Sequence, residues 1–224
     1  MSSLDGAARA RAIRQARARR LARRFVAWVV VPTLLSAVYY GCWASSQYVS
    51  EAVVAVRYGP DGKEGHLERD ANLLRAYVQS RDLVRALDEA LSLQEHFAAP
   101  QVDRWSRLAE DAPFEERYRY VRERIDTAFD KTAGTLTVRA RAFTPEFAQA
   151  MCKEVLAALD KKVSALFPDD PHPPRLVILA EPSLPDVAAL PKRGWRIATV
   201  FFVCLALMGI VGLAAAAIRE HAKL

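Results

Sequence analysis

Histidines, cysteines and paired carboxylates are the residues through which this chain could do chemistry. His66, His96, His172 and His221 could bind a metal or act as general bases. They are scattered along the chain, without the close pairing that a metal site on a helix or hairpin requires. Cys42, Cys152 and Cys204 have no metal spacing either, and three cysteines do not make the even set of a disulfide framework. Two of them fall in apolar runs, and Cys152, on a helical segment, reads as a small apolar filler. Glu115-Glu116 and Asp169-Asp170 are carboxylate pairs of the kind glycoside hydrolysis uses, provided the fold sets their separation. In a chain with 26% charged residues such pairs are ordinarily a solvated face. G-x-S-x-G, H-E-x-x-H, a Gly-rich phosphate loop and G-x-x-x-x-G-K-[ST] are all missing from the sequence. The reading is a protein that is not an enzyme, with no catalytic, metal-binding or cofactor-binding residues.

The elements that would have to position any site are dominated by two uncharged runs. Phe25 to Trp43 and Ile197 to Ile218 carry no Asp, Glu, Lys or Arg. As helices they would reach about 28 and 33 Å, enough for a bilayer core of roughly 30 Å. Two helices apolar all round would leave a small soluble domain nothing polar to present to water. Trp28, Tyr39, Tyr40, Trp43 and Trp195 lie near the run ends, where interfacial aromatics belong. Pro32 within the first run is acceptable, because membrane helices tolerate proline. That run is longer than the core of a cleaved signal, so it reads as an uncleaved anchor.

Charge sets the topology. The formal net charge is +6 over 224 residues, but it is carried by the tails. Eight arginines precede Phe25 against Asp5 alone, whereas 44–196 holds 22 basic and 24 acidic residues. Arginine beside a span stays cytoplasmic, which puts both termini inside and the middle outside. Residues 1–24 are then a cytoplasmic leader, 25–43 the first span, 44–196 a periplasmic domain, 197–218 the second span and 219–224 a cytoplasmic tail. Arg19, Arg20, Arg23 and Arg24, next to the first span, enforce topology and meet anionic lipid headgroups; nucleic acid is not the expected partner.

The middle segment alternates strand and helix signals. Ser50 to Arg57 is valine-rich and strand-like, closed by Gly59-Pro60-Asp61-Gly62. Helical spacing follows from Asp70, then again after Ser80 as cap, with Leu83, Val84, Leu87 and Leu91 inward. Another helix starts at Pro113. Two strands, 124–129 and 135–142, flank a turn. Thr144 and Pro145 open a long helix with a stripe of Phe147, Met151, Val155, Leu159, Val163 and Leu166, and Arg175 to Ala180 is a last strand. Strand, helices, strand, strand, helix, strand suggests a small ferredoxin-like α+β domain between the spans.

Two further features bear on assembly. Pro182, Pro185 and Pro191 restrict the backbone just before the second span, as a semi-rigid linker or as a strut that sets the domain's angle. Gly209, Gly212 and Ala216 form a small-residue face within that span, a surface on which helices approach closely in lipid.

These features together resemble the polysaccharide copolymerases. Tyr48-Val49-Ser50-Glu51-Ala52, YVQSRDLVRALDE from Tyr77, GTLTVRARAFTPEFAQA from Gly134 and EPSLPDVAALPKR from Glu181 resemble more closely the inner-membrane capsule polysaccharide export proteins. The resemblance implies a homo-oligomeric ring in the inner membrane, working as a scaffold with an ABC transporter and close to polysaccharide. It departs from the family at one place: only PDDPHPP stands where a long helical hairpin is usual. That short connection speaks against direct contact with an outer-membrane export protein. A chain-length regulator acting with a polymerase is the alternative, and a membrane-anchored hydrolase a third.

Overall fold

The apolar run of the first span builds one long helix, α1 (Arg14–Trp43), in this computed structural model, which describes residues 14–16, 18–57, 67–166 and 175–221. Wide five-residue turns occupy Val26–Val30 and Tyr39–Trp43 of that helix, with regular helix over Val31–Val38 between them. Pro32 sits in the first turn of the middle stretch, where the chain has just left the wider turn. Irregular turns are a usual way of absorbing a missing backbone donor inside a helix. Thr33 Oγ1 donates to the Val29 carbonyl at 2.7 Å, a local bond available to a polar side chain in an apolar run.

The chain divides into two units. The first comprises 1–44 and 191–224. In it α1 packs along α7 (Arg193–His221) through the half-buried side of α7, which carries Ile197, Phe201, Cys204 and Met208. Elsewhere on the two helices, described side chains such as Leu34, Leu35, Ile210 and Leu213 are more than half exposed. The second helix starts four residues before the uncharged run, taking in Arg193 and Arg196.

The second unit, Ser45–Leu190, has a four-stranded sheet in the order β2-β3-β1-β4, with every neighbouring pair antiparallel. Its strands are β1 (Tyr48–Arg57), β2 (Ile125–Asp130), β3 (Thr135–Ala142) and β4 (Arg175–Ala180). Between β1 and β2 come α2 (Leu67–Val78), α3 (Arg81–Leu91), the one-turn α4 (Leu93–Phe97) and α5 (Phe114–Arg122). The long α6 (Pro145–Leu166) links β3 to β4.

Local chemistry explains these boundaries. Ser80 caps α3, its hydroxyl accepting from the Leu83 N–H at 3.2 Å. Thr144 does the same for α6 through the Phe147 N–H. Gly134 closes the β2–β3 turn with φ at 65°, a conformation that costs glycine nothing.

The sheet is one-sided. Ala52, Val54, Leu136, Val138, Ala140 and Ile125 are buried on the face that carries the helices. α6 lies across β1 and β3 with Met151, Val155 and Leu159 fully buried, and α2 and α3 pack against it. The opposite face is polar: Arg139 on β3 bonds Glu51 of β1 at 2.8 Å and approaches Asp126 of β2 at 3.9 Å. Those three residues stand directly opposite one another in the strand register. Alternation along a strand sends one set of side chains inward and the other to water.

Candidate functional site

The proline segment is part of the second unit's structure over most of its length. β4 pairs only with the far half of β1, Val53 to Arg57. Beyond Ala180 the chain continues along the near half of β1 without forming a regular strand. The Ser183 N–H donates to the Glu51 carbonyl at 3.0 Å, and the Glu51 N–H donates to Ser183 Oγ at 3.0 Å. Ser50, fully buried, donates its hydroxyl to the Ser183 carbonyl at 2.7 Å. Farther on, Gln47 and Leu190 exchange backbone hydrogen bonds. Proline has no N–H to offer a ladder, so the segment is tied by serine and by the residues between its prolines.

The prolines themselves have different surroundings. Pro182 is buried, and its carbonyl accepts from Gln149 Nε2 on α6 at 2.9 Å. Pro185 and Pro191 are half-buried. Pro191 belongs to the first unit and Pro182 and Pro185 to the second. The first proline is therefore packing material of the domain rather than part of a free linker.

Among the other residues singled out by the sequence, Arg19, Arg20, Arg23 and Arg24 are exposed on the first half of α1. Gly209 and Gly212 are exposed on α7, and a Cβ placed on either would meet nothing within 4 Å. The side chain of Ala216 lies outside the described residues, as do His66, His172, the Gly59–Gly62 turn and the PDDPHPP connection.

Three arrangements were not legible in the sequence. The first is a clasp between Ser45 and Asp103. The Ser45 N–H donates to Asp103 Oδ2 at 3.1 Å, and the Asp103 N–H donates to Ser45 Oγ at 2.7 Å. Partial burial works against the Asp103 charge, but hydrogen bonds from Ser45, Ser106 and Trp105 outweigh it and hold the carboxyl below its ordinary range. The second is the turn that this aspartate organises, from which Trp105 projects, 84% exposed.

The third is an aromatic cluster. His96 lies flat on Phe147, with ring centroids 3.6 Å apart and planes within 2° of parallel. Phe97, fully buried, meets Tyr120, Phe143 and Phe147 edge-on. The Arg124 guanidinium covers the Tyr120 ring at 3.3 Å. Burial pushes the His96 imidazole down to about 4, so it is neutral at pH 7. Burial likewise pushes Tyr120 up to about 12 and Cys152 up to about 11. The Cys152 thiol rests against the Val138 carbonyl at 3.8 Å and is fully buried. None of these groups is paired as an acid–base couple or a nucleophile with its base. Among the described residues no three His, Cys, Asp or Glu side chains gather as a metal site.

No known protein-family profile matches the chain. Individual relatives do. The chain is 26% identical over 151 residues to the capsule polysaccharide export inner-membrane protein KpsE of Escherichia coli, covering 62% of this chain and 40% of that protein. It is 29% identical over 134 residues to BexC of Haemophilus influenzae, covering 53% and 35%. To CtrB of Neisseria meningitidis it is 25% identical over 145 residues, covering 56% and 36%. The matched stretches thus span about two fifths or less of those relatives. The relatives are all capsule polysaccharide export inner-membrane proteins, the same group that the motifs at Tyr48, Tyr77, Gly134 and Glu181 resemble.

Proposed function

We propose that this protein is a non-enzymatic inner-membrane accessory of capsular polysaccharide export, a scaffold that assembles as a homo-oligomeric ring around or beside an ABC transporter. The observation that carries the reading is the similarity to three capsule export proteins. Two helices among the described residues, each long and apolar enough to cross a membrane, support it. Both termini are cytoplasmic and Ser45–Leu190 is periplasmic; the exposed arginines of α1 support that orientation. The domain is ferredoxin-like, a reading supported by the β-α-β-β-α-β order and the antiparallel β2-β3-β1-β4 sheet.

Two surfaces suit self-assembly. β4 is an edge strand whose Val177, Ile178 and Leu179 are 39–53% exposed, and such edges invite another chain. Gly209, Gly212 and Ala216 offer α7 a close-packing face, and membrane lipid fills the remaining surface of the spans. Pro182, Pro185 and Pro191 act as the strut that sets the domain's attitude before the second span.

A chain-length regulator acting with a polymerase is the second reading. It is favoured by the eight residues between α6 and β4, too few for a long helical arm toward an outer-membrane partner. The test is affinity purification of the tagged protein from its own cells, with surface capsule and polymer length measured in a deletion strain. ABC-transporter subunits in the complex and polymer retained inside the deletion strain support export. A polymerase in the complex and altered polymer length at the surface support the regulator.

A further inference from the structure

Within Ser45–Leu190 the two most exposed large apolar side chains of the described residues are Trp105, at 84%, and Val187, at 79%. Burying either would remove apolar area from water, yet each is held out on an ordered stretch. The Trp105 turn is fixed on both sides: Val102 and Leu108 are buried, and the Tyr120 hydroxyl donates to the Ser106 carbonyl at 2.6 Å. Val187 stands between Ser183, tied to β1, and Ala189, whose N–H donates to the Gln47 carbonyl at 2.9 Å.

Both protrusions are tied to the first and last residues of the Ser45–Leu190 unit. Asp103, two residues before Trp105, is clasped to Ser45, and Ser45 is two residues beyond Trp43, the last residue of α1. Two residues span about 7 Å at most, comparable with the interfacial layer on one side of a bilayer. On the other strand of the exit, Leu190 is paired with Gln47 and precedes α7 by three residues. The chain enters and leaves the domain at the Gln47–Leu190 pair; Val187 is three residues before Leu190, and Trp105 is two residues past Asp103, which is clasped to Ser45, two residues before Gln47.

We propose that Trp105 and Val187 are seated in the phospholipid headgroup layer of the bilayer that α1 and α7 cross. Tryptophan suits that layer because its ring is apolar and its N–H needs a polar partner. Arg104, exposed, and Arg107, half-buried, flank Trp105 and meet lipid phosphates. Glu110 and Asp111 are exposed farther along the same loop, which limits the gain from anionic lipid. The proposal rests on α1 being a span, but not on which side of the membrane the domain occupies.

The test uses the full chain in lipid nanodiscs, with Cys42→Ser, Cys152→Ala and Cys204→Ser as background. An environment-sensitive fluorophore is attached in turn at Trp105→Cys, Val187→Cys, Leu34→Cys and Ala133→Cys. Ala133 lies in the β2–β3 turn, at the end of the sheet opposite Tyr48. Nitroxide-labelled phospholipid should quench the labels at 105 and 187, and iodide should quench them severalfold less than the label at 133. Replacing part of the phosphatidylcholine by phosphatidylglycerol should deepen protection at 105. A label at 34 quenched by lipid, with 105 as open to iodide as 133, overturns the proposal and leaves the span intact. No lipid quenching at 34 overturns the span and the proposal together.

Discussion

The buried hydroxyl of Ser50 donates to the carbonyl of Ser183 at 2.7 Å across 133 residues of sequence. This bond joins the first strand of the domain to the segment that leads into the second apolar helix. Ser50→Ala leaves that carbonyl without its buried donor, at a cost of about 1 kcal/mol. For a domain of this size that is a fall of roughly 2–4 °C in Tm. The Ser183 and Glu51 amide protons should exchange faster with solvent. Unchanged exchange at both would mean the segment is held by other contacts.

The prolines should divide by burial. Pro182→Gly removes a buried ring and should lower thermal stability. Pro185→Gly with Pro191→Gly, at half-buried positions, should disturb the fold less. Glycine restores the conformations that proline forbids, so this pair should loosen the approach to the second helix. Expected outcomes are a smaller share of full-size oligomer in detergent and less capsule at the cell surface. Normal values for both, at wild-type expression, would reject the strut.

His96 predicts acid sensitivity. Its folded pKa is about 4 and its ordinary value 6.5. Between those values the unfolded chain binds the extra proton. Stability from this residue is therefore complete above pH 6.5 and is lost as pH falls toward 4. Allowing for partial exposure, the loss is on the order of 2 kcal/mol. His96→Phe should keep the stack on Phe147 and flatten stability between pH 7 and pH 5. Equal slopes for both proteins, followed by thermal unfolding, would place the acid response elsewhere.

Cys152 should resist thiol reagents. It is fully buried, and its thiol is pushed up to about 11, so thiolate is scarce at neutral pH. A membrane-impermeant maleimide should leave it unlabelled in the native protein and label it once urea opens the domain. Ala133→Cys should label without urea from the periplasmic side, which reads the topology directly. Labelling only after the inner membrane is broken would reverse the orientation.

Self-association should depend on the β4 edge and on the glycine face. Ile178→Lys places a charge on an exposed apolar edge and should reduce oligomer size without lowering Tm, because Ile178 is half exposed in the single chain. Gly212→Leu fills open space beside α7 and should weaken helix contacts between copies. Mass photometry of both variants in nanodiscs measures each contribution. Full-size oligomers from both would exclude these surfaces from the interface.

Much of the local structure was legible in the residues. β3 and β4 fall at Thr135–Ala142 and Arg175–Ala180 as their patterns require, and Ser80 and Thr144 cap the helices they precede. Alternation, caps and uncharged runs are short-range signals, and the backbone answers to them locally. What only the tertiary structure decided involves partners far apart in sequence. That Ser183 completes the edge of β1, that Asp103 grips Ser45, and that His96 lies on Phe147 are consequences of how the sheet order brings distant segments together. The proline segment is the clearest case. Its composition announces a stiff connector, and three prolines cannot themselves state that Pro182 will be buried against α6. That depends on β4 pairing with only half of β1 and leaving the other half of the strand's hydrogen-bonding groups to be satisfied by whatever chain follows.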